Sequence, residues 1–563
     1  MDQAKPEAQH VDLVEPPGHL IDSEDEPIDG YSLGWKTFAA IIALSLAYCA
    51  TVINNMSFTI IKFQVGTVGG ASIASWFSNA EYLVNLAVAP MLDREERIIV
   101  GGCAVGVVGS CVSASATTPG QIICGNALCG FAVSCAVLAI PANQEISTNR
   151  QRPLAMAINQ TMGNCSSVLG VFVAAAFVKF NAGGNGGWQW QYYFQGCAYG
   201  FGGLVVLLTY FPPRPRLARE GNLRELLGGI DYVGIALMCG SFTSLLLGLT
   251  WGGVTYPWRS AQTIASLVCG IIGLIVFGLW EWLGKKDGIF DHRLMQSRNF
   301  PILMLNCTID GMLLLGVAVL YSQQIGAFFT DDAVKIAAIL SPYLVTSTFG
   351  CLPAGWLMTR TKSFRILLVG SLVWCALFTG LMSIVTPDRL AIALVFSGLF
   401  GIGTAVTTVI PLSALALSVP SYLLGTAGAI SISARSLGGI IGVTIFTAIH
   451  TNEYNKHVAS GLSTLISSEG YSDTTHHQIT SILATGNPNL LSTSGLDPNL
   501  VQGVYAVLSD AQASSWTYVW VAVAGLIGAN AVVSWFVESV AVRMNAHVES
   551  ALEESEVRRR QLA

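Results

Sequence analysis

The sequence predicts an all-α integral membrane protein: two six-helix bundles with two linking helices between them, fourteen transmembrane helices in all. Three observations carry that expectation. Of the 563 residues, 52% are hydrophobic and only 11% charged, against about 25% charged in a soluble domain. Apolar runs of roughly 20 residues, each long enough as a helix to cross about 30 Å of hydrocarbon, recur along the chain. Lysine and arginine gather in alternate connections, as they do where basic loops stay in the cytoplasm.

Residues 1–36 are acidic, with nine Asp and Glu, and lack the positive-then-apolar pattern of a signal peptide. They are expected to form a disordered cytoplasmic tail. The first bundle, 37–212, is expected to hold spans at 37–61, 76–92, 98–116, 121–142, 154–178 and 192–211. A cytoplasmic linker, 213–230, leads to the central pair in 231–283, with spans at 231–252 and 263–283. Their turn carries Gly252, Gly253 and Pro257, which break a helix, and Trp251, Tyr256 and Trp258, which suit the bilayer boundary.

After a second cytoplasmic linker, 284–300, the second bundle is expected over 301–540, with spans at 301–321, 333–358, 366–385, 390–412, 422–449 and 516–540. Within it, 450–515 reads as a polar outer loop, rich in Ser, Thr, Asn and Gly, that packs as a cap. Its adjacent His476 and His477 have no further ligand nearby and read as solvated. Residues 541–563 read as an amphipathic cytoplasmic tail. With both termini in the cytoplasm, 21 of the 28 Lys and Arg lie on that side, six lie outside, and Arg435 lies within a span.

Several function classes drop out. No Walker loop, nucleotide fingerprint or nucleophile elbow stands in a plausible context, so the chain is expected not to be an enzyme and to need no cofactor. There is no basic stripe for nucleic acid. The 13 Cys mostly sit inside apolar runs and read as small apolar fillers, without metal-ligand spacing.

Charges inside spans are costly and mark function or pairing. Arg435 is the one base within a span, and Asp310, in NCTIDGMLLLG, is the acid well inside a span of the second half. A buried carboxylate whose protonation follows water access suits a proton-coupled cycle, and the alternative is a structural Asp310–Arg435 pair. Glu81, in WFSNAEYLVN, is the matching proton-coupling candidate of the first half. Asn54, Asn55, Gln160, Asn164, Gln323 and Gln324 are candidates to line a central cavity, or to serve as hydrogen-bond glue between helices. Gly398, Gly401 and Gly403, and Gly438, Gly439 and Gly442, have the spacing that lets helices approach closely.

A weak internal repeat pairs MLDREERIIVGG (Met91–Gly102) with GWLMTRTKSFRILLVGS (Gly355–Ser371), each a charged turn between apolar helices. It suggests a duplicated six-helix unit. With LLGLTWGGVTYPWRSAQ (Leu246–Gln262), SISARSLGGIIG (Ser431–Gly442) and GWQWQYYFQG (Gly187–Gly196), the chain resembles the major facilitator superfamily over about residues 37–540. Within it, the chain resembles the fourteen-span drug:proton antiporters of the fungal trichothecene efflux pump type. The resemblance implies a conformational gate at Asp93, Arg94 and Arg97, with Arg360 in the second half. Departures stand beside it: both glycines of the gate motif are lost, with Glu96 at the second. Asn126 stands for the usual fourth-helix Arg, Gly170-Val171 for the fifth-helix Gly-Pro, and Gln189 for a basic residue.

The expected function is proton-coupled efflux of a small amphipathic toxin, drug or secondary metabolite by alternating access. The alternatives are proton-coupled uptake of a ferric siderophore and a transport-inactive membrane sensor. The expected partners are a small-molecule substrate, protons and the lipid bilayer, for a monomer in the plasma membrane, or else the vacuolar membrane.

Overall fold

The computed structural model describes residues 35–70, 73–74, 76–89, 92, 96–184, 186–210, 231–252, 256–284, 294–330, 332–419, 423–469, 473–484, 497–541 and 544. Among the described residues the regular elements are helices, and twelve are long and apolar enough to cross a membrane. The chain is a multi-pass membrane protein. The other two of the fourteen expected spans are also helices: Trp76–Val88 has only 13 residues, and Gln189–Thr209 has its hydropathy lowered by Gln189, Gln191 and Gln195.

The first half comprises α1 (Trp35–Asn55), α2 (Ile61–Val68), α3 (Trp76–Val88), α4 (Glu96–Ala114), α5 (Pro119–Ala136), α6 (Ala139–Glu145), α7 (Arg152–Lys179) and α8 (Gln189–Thr209). The central hairpin is α9 (Tyr232–Trp251) and α10 (Ala261–Leu279). The second half comprises α11 (Asn299–Gly311), α12 (Ala318–Phe328), α13 (Ala333–Thr361), α14 (Phe364–Leu381), α15 (Leu390–Ser418), α16 (Leu424–Glu469), α17 (Asp473–Ala484) and α18 (Pro498–Ser534).

Short polar side chains fix several helix starts by accepting a free first-turn N–H. Thr118 accepts from Gln121 N at 3.4 Å, with Pro119 opening α5 where a missing N–H costs nothing. Asp231 caps α9 through Gly234 N (3.0 Å), and Ser260 caps α10 through Thr263 N (3.3 Å). Asp231 also accepts from Trp280 Nε1 at 3.0 Å, so one carboxylate ties both free ends of the hairpin together. At its turn, Trp258 Nε1 donates to Asn452 of α16 at 2.9 Å. The hairpin packs on α3 and α16, with Leu86, Met238 and Phe277 in one cluster and Tyr82, Leu246 and Ile440 in another.

Two helices are interrupted inside the bundle. After Asn55, α1 tightens into a 3₁₀ turn over Met56–Ile60 before α2 resumes its course. After Gly311, α11 widens into a π turn over Met312–Val317 before α12. Such local over- and underwinding is common at functional positions.

One expectation needs correction. Among the described residues, 450–515 is helix and not polar loop: α16 runs unbroken for 46 residues to Glu469, α17 follows, and α18 starts at Pro498. These extensions bury a core of their own, Leu462, Ile466, Ile479, Leu500 and Val504, which the abundant Ser, Thr and Asn around them disguised. His476 and His477 fall in α17. The tail at 1–34, the whole linker 213–230, residues 285–293 of the second linker, and most of 541–563 lie outside the described residues.

The halves interlock along their length. At one end Arg152 Nη1 donates to Ala416 O at 3.0 Å, and Gly355 of α13 lies against Pro153 and Ala157 of α7. Midway Asn164 Nδ2 donates to Ser347 Oγ at 3.1 Å. At the other end Lys179 and Asp332 pair at 3.6 Å. The large buried clusters each draw residues from both halves, Met56, Val171 and Ala175 joining one, and Cys351, Val409 and Ala429 the other.

Candidate functional site

Glycine brings α11 and α16 into backbone contact. A Cβ at Gly311 would collide with the carbonyl of Arg435, and one at Gly438 with the carbonyl of Thr308. That approach sets Asp310, on the last turn of α11, against Arg435. Arg435 Nε lies 2.9 Å from Asp310 Oδ2, with both side chains less than a tenth exposed. Thr408 of α15 donates to Asp310 Oδ1 at 2.6 Å. Oδ2 receives no aligned hydrogen bond and Arg435 Nη2 is buried without one, so charge more than hydrogen-bond geometry holds the pair. Tyr48 of α1 lies beside the guanidinium, so the first half reaches the pair directly. A buried ion pair so sparsely hydrogen-bonded adds little net stability.

A second polar group sits within the first half. Glu81 of α3 is buried and lines a small cavity with Asn54, Asn55, Gln64, Asn126 and Tyr192. Gln195 of α8 donates to Asn54 Oδ1. Gln64 Nε2 donates to the Tyr192 hydroxyl at 2.9 Å, and Asn126 Nδ2 to the Phe77 carbonyl at 2.6 Å. Asn126, which stands where the resembled family carries Arg, thus pins α5 to α3 through hydrogen bonds instead of a charge. One turn beyond Glu81, Asn85 donates to Ser436, the neighbour of Arg435, at 2.7 Å, and accepts from Ser134 at 3.1 Å.

The other sequence candidates are scattered. Asn164 spans the halves, donating to Ser347 and also contacting Cys351 Sγ at 3.5 Å. Gln160 is buried with Nε2 unpartnered. Gln324 accepts from Trp520 Nε1 at 3.0 Å inside the second half, and Gln323 is exposed. Arg97 is exposed at the start of α4, and Arg360 stacks over the Trp356 ring at 5.3 Å. Asp93 and Arg94 lie outside the described residues.

Sequence reasoning missed Thr408, Tyr48, Asn85, Ser436 and Gln195, since neutral polar residues within spans are common. It also missed Arg152, read as a loop charge but buried, donating through Nε to Gln144 O at 3.1 Å as well as to Ala416 O. Among the described residues no cluster of His, Cys, Asp and Glu could hold a metal ion.

Solved structures with similar architecture are the proton:xylose symporter XylE of the major facilitator superfamily and a bacterial homolog of the human lysosomal transporter Spinster. XylE has a TM-score of 0.51 at 12% identity, covering 74% of this chain and 90% of its own. The Spinster homolog has a TM-score of 0.51 at 14% identity, covering 90% and 97%. At those identities they establish the fold, that of the major facilitator superfamily. Among curated proteins, the trichothecene efflux pump TRI12 of Fusarium sporotrichioides is 24% identical, over 88% of this chain and 84% of its own. The MFS-type transporter prx5 of Penicillium rubens is 26% identical, over 91% and 92%. The family description "Fungal trichothecene efflux pump (TRI12)" matches residues 7–552. A two-half helical bundle and a family match across nearly the whole length converge on a transporter: the chain belongs to the fungal trichothecene efflux pump family of the major facilitator superfamily.

Proposed function

We propose that this transporter couples proton entry to export of a small amphipathic toxin or secondary metabolite, and that the Asp310–Arg435 pair is its proton-responsive element. The supporting observation is a buried carboxylate held by one guanidinium and one hydroxyl at the contact of α11, α15 and α16. Protonation of Asp310 would remove the attraction and leave Arg435 needing another partner. Tyr48 of the opposite half already lies against the guanidinium, so losing the Asp310 charge shifts the balance of its contacts towards that half. That differential contact is what a ligand-driven conformational shift requires. Rocking of one half against the other then exposes the central contact to alternate sides.

In this reading both termini face the cytoplasm, the protein acts as a monomer in the plasma membrane, and Arg97 and Arg360 belong to the gate with Asp93 and Arg94. The efflux direction draws support from the relatives named as efflux pumps, which also favours it over siderophore uptake.

Flux of a trichothecene in sealed vesicles, with and without an imposed pH gradient, tests the proposal. Gradient-driven flux in the wild type that is lost in Asp310→Asn supports it. Unchanged gradient-driven flux in the variant removes Asp310 from the coupling path, and absence of flux in folded wild-type protein favours a sensor.

A further inference from the structure

Arg152 holds a helix end that belongs to the other half. The last residue of α15 is Ser418, and the carbonyl of Ala416 on its final turn has no N–H to accept from four residues on, because that residue is Pro420. Arg152 Nη1, from the first half, donates to this carbonyl at 3.0 Å. Its Nε donates at 3.1 Å to the carbonyl of Gln144, near the close of α6, and Gln144 Nε2 reaches the Leu412 carbonyl of α15 at 3.5 Å. With 3% of its surface exposed, the arginine is buried between the halves.

The charge is placed to favour closure. Arg152 is the first residue of α7 and so sits at the positive end of its own helix, where a cation is disfavoured. The final turn of α15 is a negative end, where a cation is favoured. Parting the halves here removes the favourable end and leaves the unfavourable one. The backbones are also in contact: a Cβ at Gly355 of α13 would lie 2.6 Å from the Pro153 carbonyl oxygen. At the far end of the same seam, Lys179 and Asp332 pair with side chains 47% and 33% exposed, an arrangement that water and salt weaken. The two ends are therefore held unequally, and the stronger hold is at Arg152.

We propose that Arg152 is a positioning residue for transport: it caps α15 from the opposite half, keeps that end of the path shut, and releases Ala416 each time the end opens. With both termini in the cytoplasm this is the inner end, and the inference rests on the export reading for that sidedness alone. Arg152 acts apart from the Asp310–Arg435 pair, so closure here and the response to a proton are separate functions of separate residues.

Spin-label distances on the purified full-length chain in detergent test the latch without substrate or gradient, so its failure is separable from failure of proton-coupled export. Labels are carried on noncanonical residues, which leaves the 13 native cysteines untouched. One pair replaces the exposed Arg150 and Lys362 at the Arg152 end, and a second replaces the exposed Phe180 and Lys335 at the far end. Arg152→Met keeps the apolar stem and removes the donors. It should add a longer distance to the first pair, raising the open-to-closed ratio about tenfold. Arg152→Lys, with a charge but no fork, should fall between it and the wild type. The second pair should keep its distance throughout. An unchanged first pair in Arg152→Met overturns the proposal, and so does lengthening at both ends, which would mark a loosened fold. Should Arg152→Met fail to fold, Arg152→Lys decides alone: a ratio equal to that of the wild type rejects the latch.

Discussion

Asn85 and Ser436 are 351 residues apart in sequence and share a buried hydrogen bond of 2.7 Å that crosses between the two halves. The bond sits one helical turn from Glu81 and one residue from Arg435, so it touches both polar groups. It exists only while α3 and α16 are in contact at this level. Asn85→Ala and Ser436→Ala should therefore each weaken this closed arrangement by about 1 kcal/mol, the net worth of one such bond. Their double variant should cost less than the sum. Spin-label distances between α3 and α16 would show the shift, and strictly additive effects would mean the two residues act independently.

The Asp310–Arg435 pair predicts an asymmetry between breaking and removing a buried ion pair. Asp310→Asn leaves Arg435 buried beside a neutral amide and should cost about 3–5 kcal/mol. Adding Arg435→Gln should restore most of that stability, because no charge then stays buried, while gradient-driven flux stays absent. Melting of the three proteins in detergent, beside vesicle flux, checks both halves of the statement.

Gly311 and Gly438 face backbone carbonyls, which cannot swing aside as a flexible side chain would. Gly311→Ala or Gly438→Ala should force α11 and α16 apart and destabilise by about 1–3 kcal/mol. By contrast, Gly101→Ala, where nothing lies within 4 Å of the added carbon, should leave the midpoint nearly unchanged. Melting of the three alanine variants decides the matter.

Asp332 predicts a pH dependence at the Lys179 end. Its carboxylate accepts from Val334 N at 2.9 Å and pairs with Lys179 at 3.6 Å. The Val334 N–H first, and Lys179 after it, hold its carboxyl below the ordinary value, about 3.9 for aspartate. A lowered folded value means the contribution is fully present above the ordinary one and is lost as pH falls through the lowered one. The stability difference between wild type and Asp332→Asn should be constant near neutrality and shrink below about pH 4. Unfolding midpoints of both proteins across pH 3–7 provide the check.

The sequence made the spans legible because length and apolarity alone decide whether a helix can cross a bilayer. It also made Asp310 and Arg435 legible as partners, since isolated opposite charges in apolar helices have few other options. It could not show that Glu81 and Asn85, one turn apart on a 13-residue helix, meet different partners, a pocket for the first and the opposite half for the second. Nor could it show Arg152 turning inward, because an arginine beside a proline at a helix start reads as a loop charge. The extensions of α16 and α18 escaped notice for a different reason. Their buried Leu462, Ile466, Leu500 and Val504 are spread thinly among residues of low helix propensity, and only their mutual packing reveals the pattern.

The position of the central hairpin has a consequence for how the molecule meets its solvent. Two seams run between the halves, one along α3 and α16, the other along α7 and α13. The hairpin covers the first with Met238, Leu246 and Phe277, and turns Ile264, Val268, Ile271, Ile272 and Ile275 outward in its place. The second keeps Leu169, Phe172, Phe349 and Trp356 exposed. Acyl chains therefore border the two seams unequally, meeting the hairpin at the first and the packed faces of the two halves themselves at the second.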